Sequence, residues 1–382
     1  MARQRKKSVR GGGSVFQRKD GRWEAKLKLE ETGKYKSFYA SSEKEAYRLL
    51  EEARLQQKMG TLATGPQQTL KDFLEYWLED VEKPRIRIST YINNRVVVYK
   101  HLIPGLGHIK LHKLTALQLQ SFYAQRLKSG MSASRAVRLN AVLHKALDHA
   151  KRLKLVGTNV SEDVELPRPA KYEGEVLDAD QARILLQVAA ERELDTLLAL
   201  AVVTAMRLGE ILVLRWTDID MVKGELRVSG TVNYYPRYGF VEGKAKTKAG
   251  MRTIKIPLFI IELLKKHRLR QAEKKLAAGS AWVERNLVFC RKDGDFVRRS
   301  TLRNQITKLL QDAELPYVRF HDLRHSAATI LLALGVPANV VQELLGHADI
   351  SITLGTYGHV LPSMKRDVVD KMDGLYGNER PF

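Results

Sequence analysis

Charged side chains interrupt an apolar stretch in the second half of the chain, where they could handle an anion. Arg207 and Glu210 stand inside residues 197–214, a run that is otherwise largely apolar. A buried charge without a partner is costly, so such an arginine must be paired or must meet an incoming anion. An ion pair between Arg207 and Glu210, three residues apart, is the simpler alternative, and it stays open at this point.

A second segment, residues 319–332, is predicted to open a helix with basic and imidazole side chains. His321 and Arg324 fall one turn apart on the same face. A phosphate there would meet a guanidinium fork, an imidazole and the positive end of the helix. His321 and His325 have the i, i+4 spacing of zinc ligands, but no glutamate lies between them and Arg324 would repel a metal ion. We therefore predict no metal site.

A third segment joins a histidine to a tyrosine. Gly346 is expected to end a helix and to leave His347 at its mouth, and Tyr357 follows ten residues later. Taken alone, a tyrosine is more often a packed aromatic than a nucleophile. With an ordinary pKa of about 10, only about one phenol in a thousand is ionised at pH 7, and supplying the phenolate costs roughly 4 kcal/mol. A nucleophilic Tyr357 would therefore need activation.

The three segments together could supply that activation. Two arginines holding a phosphodiester would neutralise its charge, favour the phenolate and stabilise the charge that develops in the transition state. A histidine could take the phenol proton, while a lysine or a second histidine assists the leaving oxygen. The sequence has neither a Walker A loop nor a dense carboxylate cluster that would hold two magnesium ions. The pattern predicts phosphoryl transfer with no cofactor.

The composition favours a nucleic-acid partner. The 382 residues include 65 Lys and Arg against 43 Asp and Glu, a net charge of +22, and the isoelectric point is about 9.9. With 44% hydrophobic residues, the chain can build real cores. No apolar run is long enough to cross a bilayer and the N-terminus does not resemble a signal peptide, so we expect a cytoplasmic, DNA-associated protein without membrane contact. A single cysteine, Cys290, excludes an internal disulfide and indicates core packing.

The elements that must position these residues begin with a basic N-terminus. Residues 1–10 read as a flexible arm able to follow phosphates, with the cations Arg3, Arg5, Lys6 and Lys7. From residue 14 to 39 polar and apolar residues alternate around an Asp20-Gly21 turn, and a capping box starts at Ser42. We predict a three-stranded sheet closed by one helix. Its basic face is either a DNA reader or simply a solvated surface.

A helical region follows the polar linker around residues 60–68. One amphipathic helix has apolar residues at 139, 142, 143, 146, 147, 150 and 153 and presents cations on its other side, among them Arg135, Arg138 and Lys145, which we expect to contact DNA. A second linker covers about 166–175. Beyond it, a mostly helical region contains predicted strands at 225–228 and 251–256 that flank a turn at Ala249-Gly250.

Four ordered motifs give the chain a family resemblance. Residues 204–210, 321–325, 345–347 and 356–359 resemble those of the tyrosine recombinases of the phage and transposon integrase type. The resemblance implies that Arg207 and Arg324 grip the scissile phosphate and that Tyr357 attacks it, with His321 and His347 assisting. One residue departs from the family pattern: Ala205 stands where a glycine is common.

The resemblance also implies a lysine in a strand turn that acts as general acid. Lys244, Lys246 and Lys248 compete for this role within a segment similar to the family's hairpin. Lys246 fits best because the family places Lys-Thr just before the turn and an Arg-Thr-Ile strand after it, and Lys248 is the alternative. The two lysines that are not the acid, or all three, would contact backbone phosphates.

The domain order implied by the resemblance gives a multidomain, mainly α protein with small β-sheets. It comprises an arm-type DNA-binding domain at 1–60, a helical, SAM-like core-binding domain at 67–168, a mixed α/β catalytic domain at 175–365 and a C-terminal tail at 366–382. The family works on double-stranded DNA as a homo-tetramer on two sites, with possible DNA-bending or excision accessory proteins, in a bacterial host. Two alternatives remain open: a non-cleaving DNA-binding regulator or architectural protein, and a type IB topoisomerase.

Overall fold

The chain divides into two compact units between Lys171 and Tyr172. The structure, a computed structural model, describes residues 7–9, 13–30, 33–59, 62, 68–170, 174–244 and 250–346, with residues 7–9 and 244 described by their backbone. Among these residues no helix is long and apolar enough to span a membrane. The predicted fold class, mainly α with small sheets, is confirmed.

The N-terminal unit begins with an antiparallel sheet of order β1-β2-β3-β4. Its strands are β1 (Lys7–Val9), β2 (Gly13–Gln17), β3 (Trp23–Lys28) and β4 (Tyr35–Ala40). The three predicted strands are present, and the structure adds a short edge strand from the segment that we predicted as a flexible arm. Lys7 pairs with Val15 and Val9 with Gly13. The extra strand forms because it satisfies peptide groups that β2 would otherwise leave open at its edge.

One face of this sheet is covered by a helix, α1 (Glu43–Lys58). Ser42 caps it, accepting a hydrogen bond from the Glu45 backbone N–H as predicted, but the Glu45 carboxylate accepts from Ser41 and so does not complete the predicted capping box. Alternation along the strands turns Ala25 and Leu27 towards α1, where they pack against Leu50. The residues that alternate with these, including Lys26 and Lys28, lie on the uncovered face.

The rest of the N-terminal unit is helical. It contains α2 (Leu70–Tyr76), α3 (Ile88–Val97), α4 (Ile103–Leu106), α5 (Ala116–Lys128) and α6 (Ala133–Arg152), with π-helical turns at Trp77–Glu82 and Val98–Leu102 and a 3₁₀ turn at Leu111–Lys113. A capping box between Thr69 and Asp72 starts α2. The predicted apolar stripe of α6 is buried, except at Leu153, which lies beyond the last turn and is 45% exposed.

The C-terminal unit mixes helices with two small sheets. Its elements are α7 (Ala179–Ala190), α8 (Asp195–Thr204), α9 (Leu208–Ile211), β5 (Ile219–Asp220), β6 (Glu225–Val228), β7 (Gly230–Tyr235), β8 (Gly239–Lys244), β9 (Arg252–Lys255), α10 (Leu258–Ala278), α11 (Arg299–Asp312), α12 (Phe320–Ala333) and α13 (Ala338–Leu345), with 3₁₀ turns at Trp216–Asp218 and Gly279–Ala281. Helix α8 is buried at most positions and packs against α7, α10 and α12. This central helix and α12, which packs against it, position the residues of the candidate site.

The strands of this unit correct one prediction. β6 and β9 are present and pair with each other, Leu226 opposite Ile254, so the two predicted strands are confirmed. They do not directly flank one turn, because a separate hairpin, β7-β8, lies between them in the chain. The sequence signal for β7 is weak, since Val232 is the buried residue of that strand and the alternation is short.

Candidate active site

Arg207 owes its position to an unusual turn at the end of α8. Ala205 caps that helix in the left-handed conformation, with φ +51° and ψ +27°. Its side chain is fully buried against Ala327, Ala328 and Leu345. A residue with a Cβ pays about 1–2 kcal/mol for this conformation and glycine does not. The left-handed turn is therefore the physical reason for the glycine that the related motif favours.

Arg207 is paired with Glu210 and is also partly exposed. Its Nη1 donates to Glu210 Oε1 at 2.9 Å and its backbone N–H donates to Oε2 at 3.1 Å. The Glu210 side chain is only 8% exposed, whereas that of Arg207 is 42% exposed. Arg207 is thus held by a buried carboxylate while part of its guanidinium faces solvent, where an anion can reach it.

Glu210 has a second cationic partner that the sequence reading did not identify. Arg252, at the start of β9, donates from Nη2 to Glu210 Oε2 at 3.1 Å and from Nε to the Leu344 carbonyl at 2.8 Å. Burial alone would raise the pKa of Glu210, but the charge of Arg252 and the hydrogen bonds from Arg207 hold it below its ordinary value. The missed signal was strand alternation, which places Arg252 on the same side as the buried Ile254.

We call Arg207, Arg252 and Arg324 the arginine cluster, and Arg324 is the most buried of the three, at 2% exposure. Its Nη1 donates to the Ala205 carbonyl at 2.7 Å, and its Nη2 donates to the Leu345 carbonyl at the end of α13. Arg324 therefore ties the end of α8 to the end of α13. Two positively charged side chains, Arg252 and Arg324, meet the carbonyl end of α13, where the helix dipole is negative.

His321 lies at the exposed start of α12, and His325 lies one turn further on. Their rings meet edge to face with centroids 5.0 Å apart. Partial desolvation, then the charges of His325 and Arg324, and also that of Arg207, lower the pKa of His321. The neutral imidazole is therefore favoured near pH 7, as a proton acceptor requires. Arg324 donates to the carbonyl of Ala205, two residues before Arg207, and His321 precedes Arg324 by one turn of α12, so the segments that carry the three residues meet here.

Asp322, in the first turn of α12, places its carboxylate at the N-terminus of that helix. Arg319 donates to the buried Asp322 from Nε at 2.9 Å and from Nη2 at 2.8 Å, and the Arg319 backbone N–H donates to it at 2.8 Å. We predicted that an incoming phosphate would meet this helix end. In the structure Asp322 lies at this end and accepts from Arg319, and the phosphate contact stays a prediction.

Gly209 determines how closely the β7-β8 hairpin can approach. A Cβ built on it would lie 2.2 Å from Thr231 Oγ1 and 2.3 Å from Arg299 Nη2. A Cβ would therefore force the Thr231 and Arg299 side chains to move and would press on the Val232 carbonyl at 3.1 Å, so glycine provides the room that this packing uses. The same hairpin ends at Lys244, directly before the segment that contains the other candidate lysines.

Several predicted site residues lie outside the described residues: Lys246, Lys248, His347, Tyr357, Arg3, Arg5 and Lys6. Lys7 and Lys244 are strand residues known by their backbone. Gly346 ends α13 in the left-handed conformation, as we predicted, with φ +62°. Within the described residues, His144, Asp148 and Glu162 form the group close enough to hold a metal ion, and they belong to the N-terminal unit.

Cations also line surfaces of the N-terminal unit. Arg135, Arg138 and Lys145 are exposed on α6, where Arg138 donates to Asn94 Oδ1 at 2.9 Å. We define the sheet face as the uncovered side of β2-β3-β4 with its turn: Phe16, Arg18, Arg22, Glu24, Lys26, Lys28, Tyr35, Ser37 and Tyr39.

Aromatic rings and one carboxylate organise the sheet face. Arg18 stacks over the ring of Tyr39 at 5.3 Å, and Lys26 lies 5.1 Å from that of Phe16. Glu24 is almost buried at the centre, accepting from Ser37 Oγ at 2.8 Å, with Arg18 and Lys26 each at 3.5 Å. The outer cations therefore stay exposed while the inner ones are anchored.

Comparison with known proteins agrees with this geometry. Residues 175–364 match the model of the phage integrase family, and residues 69–127 match its N-terminal SAM-like domain. A tyrosine recombinase XerC-like protein of Caldanaerobacter subterraneus subsp. tengcongensis is 32% identical, over 91% of this chain and 94% of its own. The ICEBs1 integrase of Bacillus subtilis is 25% identical, over 75% of this chain and 77% of its own.

Solved structures share the fold. The Tn1549 transposon integrase in complex with transposon right end DNA has a TM-score of 0.66 at 15% identity, covering 78% of this chain and 99% of that one. A lambda integrase tetramer bound to a Holliday junction has a TM-score of 0.56 at 19% identity, covering 90% and 94%. At these identities the likeness concerns the fold alone.

Proposed function

Because the chain belongs to the phage integrase family of tyrosine recombinases, we propose that it integrates or excises a mobile element by cutting and rejoining DNA through Tyr357. The observation that carries the proposal is the convergence of Arg207, Arg324 and a neutral His321. Arg207 is part-exposed and anchored, so it can meet a phosphate without losing its orientation. That combination suits transition-state stabilisation better than simple docking.

In the proposed reaction, the Tyr357 oxygen attacks the scissile phosphorus and the bond to the 5′ oxygen breaks. His321 takes the phenol proton, and His347 donates a hydrogen bond to the phosphate or transfers a proton. Lys246, or in the alternative Lys248, gives a proton to the departing 5′ oxygen. The DNA 3′ end is left as a phosphotyrosine ester, which conserves the bond energy, so rejoining needs no ATP. Arg207 and Arg324 neutralise the phosphate throughout.

The domains divide the work of binding. We assign 1–60 to arm-type DNA, 67–168 to the core site, 175–365 to catalysis and 366–382 to a tail. The family matches at 69–127 and 175–364 support the middle two assignments. The exposed cations and rings of the sheet face support the first, together with the basic residues before it, Arg3, Arg5, Lys6 and Lys7. Arg135, Arg138, Lys145, Lys244 and Lys248 would contact phosphates of double-stranded DNA.

The assembly we propose is a homo-tetramer on two DNA sites, supported by the similarity to a lambda integrase tetramer bound to a Holliday junction. The tail would pack on its own domain or on a neighbour through Val368, Val369 and Met372. DNA-bending or excision proteins would assist, and the compartment would be the cytoplasm of a bacterial host.

Covalent trapping tests the proposal. The full-length protein is incubated with nicked DNA duplexes made from a genomic library, in which cleavage releases a short strand and prevents rejoining. Wild type should form a protein–DNA adduct and Tyr357→Phe should not, while gel shifts show that both bind DNA. Sequencing the attached strand would identify the site. Binding by wild type without any adduct would favour the non-cleaving regulator instead.

A further inference from the structure

Arg252 is a buried cation whose role the reaction above does not assign. Its side chain is 7% exposed, and its Nη2 and Nε are already bonded to a carboxylate and to a main-chain carbonyl. Burying an arginine is costly unless its donors are satisfied. Those donors reach partners on two separate elements, Glu210 in α9 and Leu344 in α13.

Each partner of Arg252 leads to a different part of the candidate site. Glu210 Oε2 accepts from Arg252 and from the backbone N–H of Arg207, which leaves Oε1 to the Arg207 guanidinium. The Leu344 carbonyl is next to that of Leu345, which accepts from Arg324. Arg252 therefore lies between the carboxylate that orients Arg207 and the helix end that Arg324 also binds.

We propose that Arg252 is a positioning residue for strand cleavage, which holds Glu210 and the end of α13 in one geometry so that Arg207 and Arg324 meet the same phosphate. The inference rests on the proposed function. Arginine suits this role because its planar fork bonds two acceptors in different directions, whereas lysine offers one point of charge. A misplacement of about 1 Å in such a site is enough to cost roughly 100-fold in rate.

Glu210 supplies a readout that a merely structural role would not change. With Arg252 present, Glu210 stays ionised because its pKa is held down against burial. If an uncharged residue replaces Arg252, burial raises the pKa of Glu210, and protonation at mildly acidic pH releases Arg207. Cleavage should then acquire a new dependence on pH, lost as pH falls, that disappears when Glu210 is also replaced by glutamine.

The experiment compares Arg252→Met, Arg252→Lys, Glu210→Gln and the double variant Arg252→Met with Glu210→Gln. Arg227→Met is the matched control, because Arg227 is an exposed arginine on the paired strand β6. Single-turnover adduct formation on the trapped DNA site is measured between pH 5 and 8, together with the DNA dissociation constant and the melting temperature. The Tyr357→Phe variant is included in the same series.

Arg252→Met should bind DNA as wild type does, cleave about 10-fold or more slowly and lose further rate at low pH. Arg252→Lys should restore the pH profile but not the full rate, and the double variant should be no slower than its slower parent. Unchanged cleavage by folded Arg252 variants, or additive effects in the double variant, would overturn the inference. Failure of Arg252→Lys to fold would also overturn it, by making Arg252 a requirement of the fold.

A different result would contradict the proposed function. If wild type forms no adduct, or Tyr357→Phe still forms one, the cleavage chemistry is wrong whatever Arg252 does. A wild-type adduct combined with a normal rate in the Arg252 variants removes the positioning role alone.

Discussion

The sheet face and the arginine cluster of the C-terminal unit use cations in opposite ways. On the sheet face, Lys28 and Arg22 are exposed, and the contacts of Arg22 are an aromatic ring and surface Asp20. In the arginine cluster, Arg252 and Arg324 are nearly inaccessible and bonded to a carboxylate and to main-chain carbonyls. Both regions are basic, but only one has fixed geometry.

The difference shows two uses of positive charge: exposed cations attract an anion, and buried guanidinium groups are held in one orientation. An exposed cation adds to the long-range field and keeps its side-chain freedom, so it raises affinity with little demand on position. A buried guanidinium has lost that freedom before the substrate arrives, so it costs no further ordering in the transition state. Net charge of +22 describes the first role and says nothing about the second.

The largest effect should come from Arg207→Ala. We expect cleavage to fall by about 10²–10³-fold or more, because a transition-state donor is lost. DNA affinity should change little, since Arg207 is one of many phosphate contacts, and Glu210 keeps Arg252 as a partner. Adduct formation and gel shifts measure the two quantities. Arg183→Ala, which removes an exposed arginine paired with Asp180, is the control. A loss of binding as large as the loss of cleavage would contradict the separation of roles.

Arg324→Ala should abolish cleavage to a similar degree and should also destabilise the fold. The change leaves the buried carbonyls of Ala205 and Leu345 without this donor. The cost is about 2–5 kcal/mol, a drop in melting temperature of roughly 5–15 °C. Thermal unfolding of the full-length protein measures it. An unchanged melting temperature would mean that the buried bonds contribute nothing to stability.

Removing two sheet-face cations should weaken binding without slowing cleavage of bound DNA. For Lys26→Ala with Lys28→Ala, the slope of log affinity against log salt should fall by about 0.9 for each phosphate that the protein no longer neutralises. Lys44→Ala with Lys58→Ala is the charge-matched control, because these exposed lysines lie on α1, which covers the opposite side of the sheet. Equal reductions in affinity for both double variants would show that net charge alone determines DNA affinity.

The pH dependence of cleavage should report the protonation of His321. Because the pKa of His321 is lowered, the neutral base persists as pH falls through about 6.5, the ordinary value, and is lost at a lower pH. Cleavage at subsaturating DNA, which reports the free protein, should hold at pH 6.5 and then decline. His321→Gln should be slower and lack this decline. A midpoint above 6.5 would contradict the lowered pKa.

The smallest effect should follow Ala205→Gly. Glycine removes the cost of the left-handed turn, about 1–2 kcal/mol. It also loses a buried methyl, about 0.8 kcal/mol, and gains chain entropy in the unfolded state, about 0.5–1 kcal/mol. The terms nearly cancel, so the melting temperature should stay within a few degrees. Ala205→Val, which has the same strain and no room, should lower it clearly.

Sequence patterns predicted the elements whose residues follow local rules of periodicity and capping. The strands β2 to β4 and the stripe of α6 follow periodicity, and Ser42 caps α1 by a local rule. Arg207 was selected because a charge in an apolar run needs a reason, and His321 and Arg324 because they fall one turn apart at the start of a predicted helix.

Other features depended on contacts between distant segments. The hairpin β7-β8 carries only a short alternation, and Arg252 gains its meaning from Glu210, 42 residues earlier in the chain, and from Leu344, 92 residues later.

The missing side chain at Gly209 has a consequence for how this enzyme can vary. A larger residue there would have to displace the Thr231 and Arg299 side chains and would press on the Val232 carbonyl, so it would disturb the β7-β8 hairpin, which ends at Lys244. If the donor of the last proton is one of the lysines that follow β8, as we propose, a disturbed hairpin would slow strand release although every proposed catalytic residue is still present. A substitution with no chemical function of its own could thus uncouple bond breaking from strand release.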